Sequence, residues 1–144
     1  MSREELRKDM QSILLPRGRA LVIDQNRKDL EYYTGVLERM GFEVKHYTSY
    51  QDGSRCLEEE TPDIVFVNQG SAAFEARGIV ERALARNPHT PVVVLARNIY
   101  MDCYLESMQL GAVDYVEKPL PSAEMEYLVT THWRPRAGEL RTVA

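Results

Sequence analysis

The run Pro62-Asp63-Ile64-Val65-Phe66-Val67-Asn68 constrains this chain more than any other stretch. A Thr-Pro-Asp turn leads into four apolar residues, β-branched or aromatic, and the run halts at a single polar side chain. Neither face alternates with polar residues, so the segment is expected as a strand buried on both sides, at the centre of a parallel sheet. In open parallel sheets the carboxyl ends of the strands face the crevice where ligands bind. Asn68 is the group placed there. Its amide donates and accepts hydrogen bonds, but it carries no charge and is a poor nucleophile.

The neighbouring segments supply the rest of such a sheet. Arg19 to Ile23, Pro91 to Leu95 and Val113 to Glu117 are further strands, and the first and second of these end at Asp24-Gln25 and Ala96. Phe42 to His46 sits nearer the sheet edge, because Glu43 and Lys45 alternate with apolar neighbours. Between them the apolar spacing turns helical: Leu30, Tyr33, Leu37 and Met40 before a stop at Gly41; a short helix capped by Ser49; then Ala76, Ile79, Val80, Ala83 and Leu84, ended by Asn87-Pro88. Tyr100 to Leu110 and a last helix from Ser122 to near Trp133 complete the alternation. Five strands alternating with five helices predict an α/β fold, a three-layer α/β/α sandwich around a parallel sheet.

That domain is expected over residues 19–133. Residues 1–18 read as an N-terminal extension, in which the capping box Ser2-Arg3-Glu4-Glu5 opens an amphipathic helix carrying Leu6, Met10, Ile13 and Leu14. Its apolar stripe is expected to dock on the domain or on a partner. Residues 134–144 read as a polar tail with no core of their own.

The 144 residues suffice for one domain with a full core, and a formal net charge of −4 argues against general nucleic-acid binding. Cys56 and Cys103 are two thiols without metal-type spacing, expected reduced and packed. No apolar stretch approaches a membrane span, and Glu4, Glu5 and Asp9 among basic residues are not a secretory leader, so a cytoplasmic location is expected. His46, His89 and His132 fall on different elements, which argues against a metal or catalytic-base role. No Gly-rich phosphate loop follows the first strand.

Val22-Ile23-Asp24, Pro62 to Val67, Gly111-Ala112-Val113-Asp114-Tyr115-Val116 and Lys118-Pro119 together resemble the receiver domain of bacterial response regulators, from about Arg19 to Trp133. The resemblance implies a flavodoxin-like sheet of order 2-1-3-4-5 and a cis peptide before Pro119. It implies two-component phosphorelay signalling by phosphoryl transfer to an aspartate at the end of the central strand. It also implies Mg²⁺ on neighbouring carboxylates, a lysine for the phosphoryl oxygens, a hydroxyl switch on the fourth strand and an aromatic on the fifth. The sequence departs from that pattern: Asn68 stands at the phosphoacceptor position, Gln25 replaces one of two acids, and Ala96 replaces the switch hydroxyl. Asp24, Tyr115 and Lys118 fit.

Mg²⁺ requires hard, mostly anionic oxygen ligands, so Asp24 with neutral Gln25 and Asn68 is expected to bind it weakly or not at all, and no other cofactor is indicated. The expected role is therefore a non-enzymatic pseudo-receiver that keeps the fold without the phosphorylation chemistry. Lys118 is expected to pair with Asp24, with the Asn68 oxygen as a further acceptor, or else to reach solvent. Two other functions compete: an unconventional phosphoacceptor, and a small-ligand sensor using the pocket around Asp24, Asn68 and Ala96.

The segment Ile99 to Leu110 carries apolar residues around most of its circumference, leaving Asp102, Glu106 and Gln109 as a narrow polar stripe. One side of a surface helix packs on the sheet, so Tyr100, Met101, Tyr104 and Met108 are expected to form an exposed flank suited to an interface. The resemblance implies that this helix, the fifth strand and the last helix form the surface used for dimers and protein partners. A homodimer or a hetero-complex is expected there.

Overall fold

The computed structural model describes residues 2–5 and 17–134. Strands β1 (Arg19–Ile23), β2 (Glu43–Tyr47), β3 (Ile64–Asn68), β4 (Val92–Ala96) and β5 (Asp114–Glu117) alternate with helices α1 (Arg27–Arg39), α2 (Tyr50–Glu59), α3 (Arg77–Arg86), α4 (Met101–Leu110) and α5 (Ser122–His132). All strand pairs are parallel and the order is β2-β1-β3-β4-β5. Successive residues of a strand point to opposite faces, so each buried strand feeds two cores. Leu21, Ile23, Val65, Val67, Val92 and Val94 pack under α2, α3 and α4. Ala20, Val22, Ile64, Phe66, Val93 and Leu95 pack under α1 and α5. The uninterrupted apolar runs of β1, β3 and β4 are the sequence consequence of being covered on both sides. β2 is an edge strand, as is β5, and Glu43, Lys45 and His46 on β2 are exposed.

The helix ends follow the expected chemistry. Asn26 caps α1 and Ser49 caps α2 through their side chains, and Gly41 and Gly111 take the left-handed conformation after α1 and α4. Strand boundaries shift by one residue at β2, β4 and β5 relative to the sequence reading, where a polar or proline residue flanks the run. Ser2 and Glu5 form the reciprocal capping box, while the rest of the helix expected there, with Leu6, Met10, Ile13 and Leu14, lies outside the described residues. So does the tail beyond Arg134. Trp133 is buried against Phe42, edge to face at 5.0 Å, and closes the core at the end of α5. Cys56 and Cys103 are free and buried. No helix among the described residues is long and apolar enough to cross a membrane.

Candidate functional site

β1 and β3 leave the sheet in opposite directions, β1 toward β2 and β3 toward β4, so a crevice opens between their carboxyl ends. Asp24 and Gln25 follow β1, Asn68 ends β3, Ala96 ends β4, and Lys118 follows β5 and begins the cis peptide to Pro119. The topology thus gathers the residues singled out in the sequence at one end of the sheet.

Within the crevice two amides meet. The Asn68 Nδ2 donates to Gln25 Oε1 at 2.9 Å, spanning the gap between the first and third strands. Asp24 is fully buried, and both its oxygens are engaged: Oδ1 accepts the Asn26 N–H at 2.9 Å, and Oδ2 accepts from Lys118 Nζ at 2.5 Å. Lys118 is buried and does not reach solvent. Its second acceptor is Asp29 Oδ2 at 2.9 Å, and not the Asn68 oxygen, because the Asn68 amide is turned toward Gln25. Asp29 lies in the first turn of α1 and also accepts from the Arg97 guanidinium at 2.6 Å. The result is an alternating row, Asp24, Lys118, Asp29 and Arg97, two carboxylates against two cations.

Asp29 was not legible as part of this site, since on the sequence it is one acidic residue at a helix start. The interval from Asp24 is its only signal: one turn into α1 returns a side chain to the strand end it left. Ala96 is fully buried and offers its carbonyl to the Lys118 N–H at 2.8 Å, with no hydroxyl toward the crevice. Among the described residues no group of three His, Cys, Asp or Glu side chains is placed to hold a metal ion.

The loop after β3 is tied down from several sides. Gly70 holds a φ of 88°, and a Cβ there would meet the Glu75 carboxylate and the Tyr50 hydroxyl within 3 Å, so glycine is required. The Glu75 carboxylate accepts from the Ser71 N–H and hydroxyl, and those bonds hold its pKa below the usual range. The Tyr50 hydroxyl donates to the Asn68 carbonyl at 2.7 Å. Burial, reinforced by the charges of Glu75 and Asp24, pushes the Tyr50 phenol well above its ordinary value. A folded pKa raised in this way contributes stability that is present below the unfolded value, about 10, and is lost as pH rises toward the folded one. The unfolding free energy is expected to decline above about pH 10, and Tyr50→Phe to flatten that decline. Urea unfolding at a series of alkaline pH values checks this; an unchanged slope in Tyr50→Phe would assign the loss to other groups.

Tyr115, the aromatic of β5, is buried and turned inward. Its hydroxyl donates to Oε1 of Gln69, a fully buried side chain that nothing in the sequence singles out. At the other end of the sheet, a cleft of about 140 Å³ is lined by Asp63, His89, Thr90, His132 and Arg134, so two histidines distant in sequence share one surface.

Comparison with known proteins settles the family. A model of the response regulator receiver domain matches residues 20–130. The chain belongs to the response regulator receiver domain family. It is 23% identical over 125 residues to the response regulator protein PilR of Pseudomonas aeruginosa, covering 87% of this chain and 28% of that protein. The curated relatives run well beyond the receiver, and the chain spans about a quarter to a half of their length. Among solved structures, a CheY-like receiver domain from Methanospirillum hungatei superimposes with a TM-score of 0.74 at 20% identity, over 81% of this chain and 92% of that one. The beryllofluoride-activated NtrC4 receiver domain dimer superimposes with a TM-score of 0.71 at 15% identity, over 80% and 95%. The receiver fold and the 2-1-3-4-5 order are thus as the sequence implied.

Proposed function

We propose that this receiver domain signals by protein–protein interaction without phosphorylation, as a pseudo-receiver in two-component signalling, and that α4, β5 and α5 are its contact surface. The observation that carries the reading is that the polar groups of the crevice are already bonded to one another. The Asn68 amide has no nucleophilic electron pair to offer a phosphoryl group and is bonded to Gln25. The lysine that would neutralise phosphoryl oxygens already holds two carboxylates. A single acid, Asp24, is a poor Mg²⁺ site, and here the ion would have to compete with Lys118 for it. The same engagement of polar groups weighs against a small-ligand sensor built on Asp24, Asn68 and Ala96, and against an enzymatic role. A cytoplasmic location fits a module with these partners.

The contact surface follows from how little of α4 the fold uses. Only Cys103 and Ser107, small residues one turn apart, are buried from this helix. Met101, Leu105, Tyr104, Met108 and Tyr100 are exposed, Met101 by 65%, and Tyr127 of α5 by 67%. Aromatic and methionine side chains give large contact area and tolerate imperfect fit. The NtrC4 receiver domain, a dimer in its beryllofluoride-activated form, supports self-association as one outcome for such a fold. The net charge of −4 argues against nucleic acid as the partner of this domain.

One experiment addresses both halves. Sedimentation of dilute protein, with and without Mg²⁺ and acetyl phosphate, is expected to show the same dimer and an unchanged intact mass. Met101→Glu and Tyr104→Glu are expected to shift it toward monomer. A phosphoryl adduct mapping to the Asn68 loop would overturn the chemical half. A wild-type monomer whose capture of native partners survives both substitutions would overturn the surface.

A further inference from the structure

The start of α4 is held in an unusual way. Its N-cap, Tyr100, makes no side-chain cap, and only two side chains of the helix are buried. The first N–H groups of a helix have no partner inside it. Here the Tyr100 N–H donates to the Tyr115 hydroxyl at 3.3 Å. That hydroxyl in turn donates to Gln69 Oε1. Gln69 Nε2 donates to the Asn98 carbonyl at 3.0 Å, which fixes which end of the amide faces Tyr115. Gln69 is fully buried, and its own N–H is bonded to the Leu95 carbonyl at 2.7 Å, so its backbone is part of the β3–β4 ladder. The Tyr115 ring lies edge to face with Tyr104 at 5.6 Å, directly beneath the exposed flank of α4.

We propose that Gln69 is a positioning residue for the α4 surface: through the Tyr115 hydroxyl and the Tyr100 amide it holds the first turn of α4, and with it Met101 and Tyr104, in one orientation. This deepens the interaction reading above and rests on it for its biological consequence. The physical case is separate. A long polar side chain is costly to bury unless each end is bonded. Both ends of Gln69 are: the oxygen accepts from the tyrosine beneath α4, and the nitrogen donates to Asn98 in the β4–α4 segment at 3.0 Å and, at 3.4 Å, to the neighbouring Gly70 carbonyl. From the first turn of α4 itself, Cys103 is the side chain that enters the hydrophobic core. The anchor therefore sits on the residue that follows β3, the central strand, and not on a group bound from outside.

Hydrogen exchange of the whole chain tests this, comparing wild type with Tyr115→Phe, Gln69→Leu and the double variant. Tyr115→Phe preserves the ring and removes only the hydroxyl. Loss of one buried hydrogen bond corresponds to about a tenfold change in local opening. The amides of Tyr100 and Tyr104 are expected to exchange about tenfold faster in each single variant, with β1 and β3 unchanged. The double variant removes both partners together and is expected to leave α4 as fast as in the single variants, with β1 and β3 still unchanged. Unchanged exchange at Tyr100 and Tyr104 in both single variants would overturn the proposal. Equal acceleration across β1 and β3 would also overturn it, since Gln69 would then be a general stabiliser. Sedimentation of the same variants separates the two readings: fast α4 exchange with an unaltered association state leaves the anchor standing and removes α4 as the interface.

Discussion

Lys118→Met is expected to lower the unfolding free energy by about 3–5 kcal/mol, the range for breaking a buried ion pair by removing one partner. The lysine side chain is 2% exposed and the Asp24 side chain fully buried, so the remaining carboxylate has no water to replace the lost ammonium. Asp29 compounds the effect, because it and Asp24 both point at the vacated position. Asp29→Asn is expected to cost much less: Lys118 keeps Asp24, and the bond lost to Arg97 is at the surface, where a pair contributes about 0–1 kcal/mol. Lys118→Met with Asp24→Leu is expected to recover part of the loss, since replacing both members of a buried pair with apolar groups is often neutral. Recovery is incomplete because the Asn26 N–H then loses its acceptor. Urea unfolding of the four proteins checks the order. A Lys118→Met protein as stable as Asp29→Asn would show that the buried pair is not what holds this end of the sheet.

The second large effect concerns restoring acids. Asn68→Asp with Gln25→Asp places three carboxylates, counting Asp24, around the crevice mouth. Without metal they repel, so the double variant is expected to melt below wild type. With Mg²⁺ at about 100 times its dissociation constant, binding to the folded state alone returns about 2.7 kcal/mol. The melting temperature should thus become Mg²⁺-dependent in the double variant and stay independent in wild type. Asn68→Asp alone is expected to bind Mg²⁺ measurably more weakly than the double variant, because position 25 still offers a neutral amide. Equal Mg²⁺ affinity in the single and double variants, by calorimetric titration, would sink the ligand argument.

Much of the architecture was carried by local chemistry. Ile64 to Val67 and Val92 to Leu95 are apolar without alternation, and a strand of that kind has one stable place, inside a parallel sheet covered on both faces. Asn26, Ser49, Gly41 and Gly111 punctuate the helices by bonding or conformational rules that act within a few residues. The chemical character of the crevice was equally local, because Asn68, Gln25 and Ala96 are what they are wherever the chain places them. The exposed flank of α4 was legible for a related reason: a helix with apolar residues most of the way round has more such surface than one sheet face can cover.

What the sequence alone left undecided is which polar groups meet. Asp29 joining Lys118, the Asn68 amide turning to Gln25, and Gln69 reaching Tyr115 are pairings 43 to 89 residues apart in the chain. No periodicity encodes them, because a hydrogen bond depends on distances of a few tenths of an ångström set jointly by five strands and their connections. A buried glutamine is indistinguishable in sequence from an exposed one in a loop. Only the tertiary structure decided that Lys118 is enclosed between two carboxylates, and that the first turn of α4 is anchored at the end of the central strand.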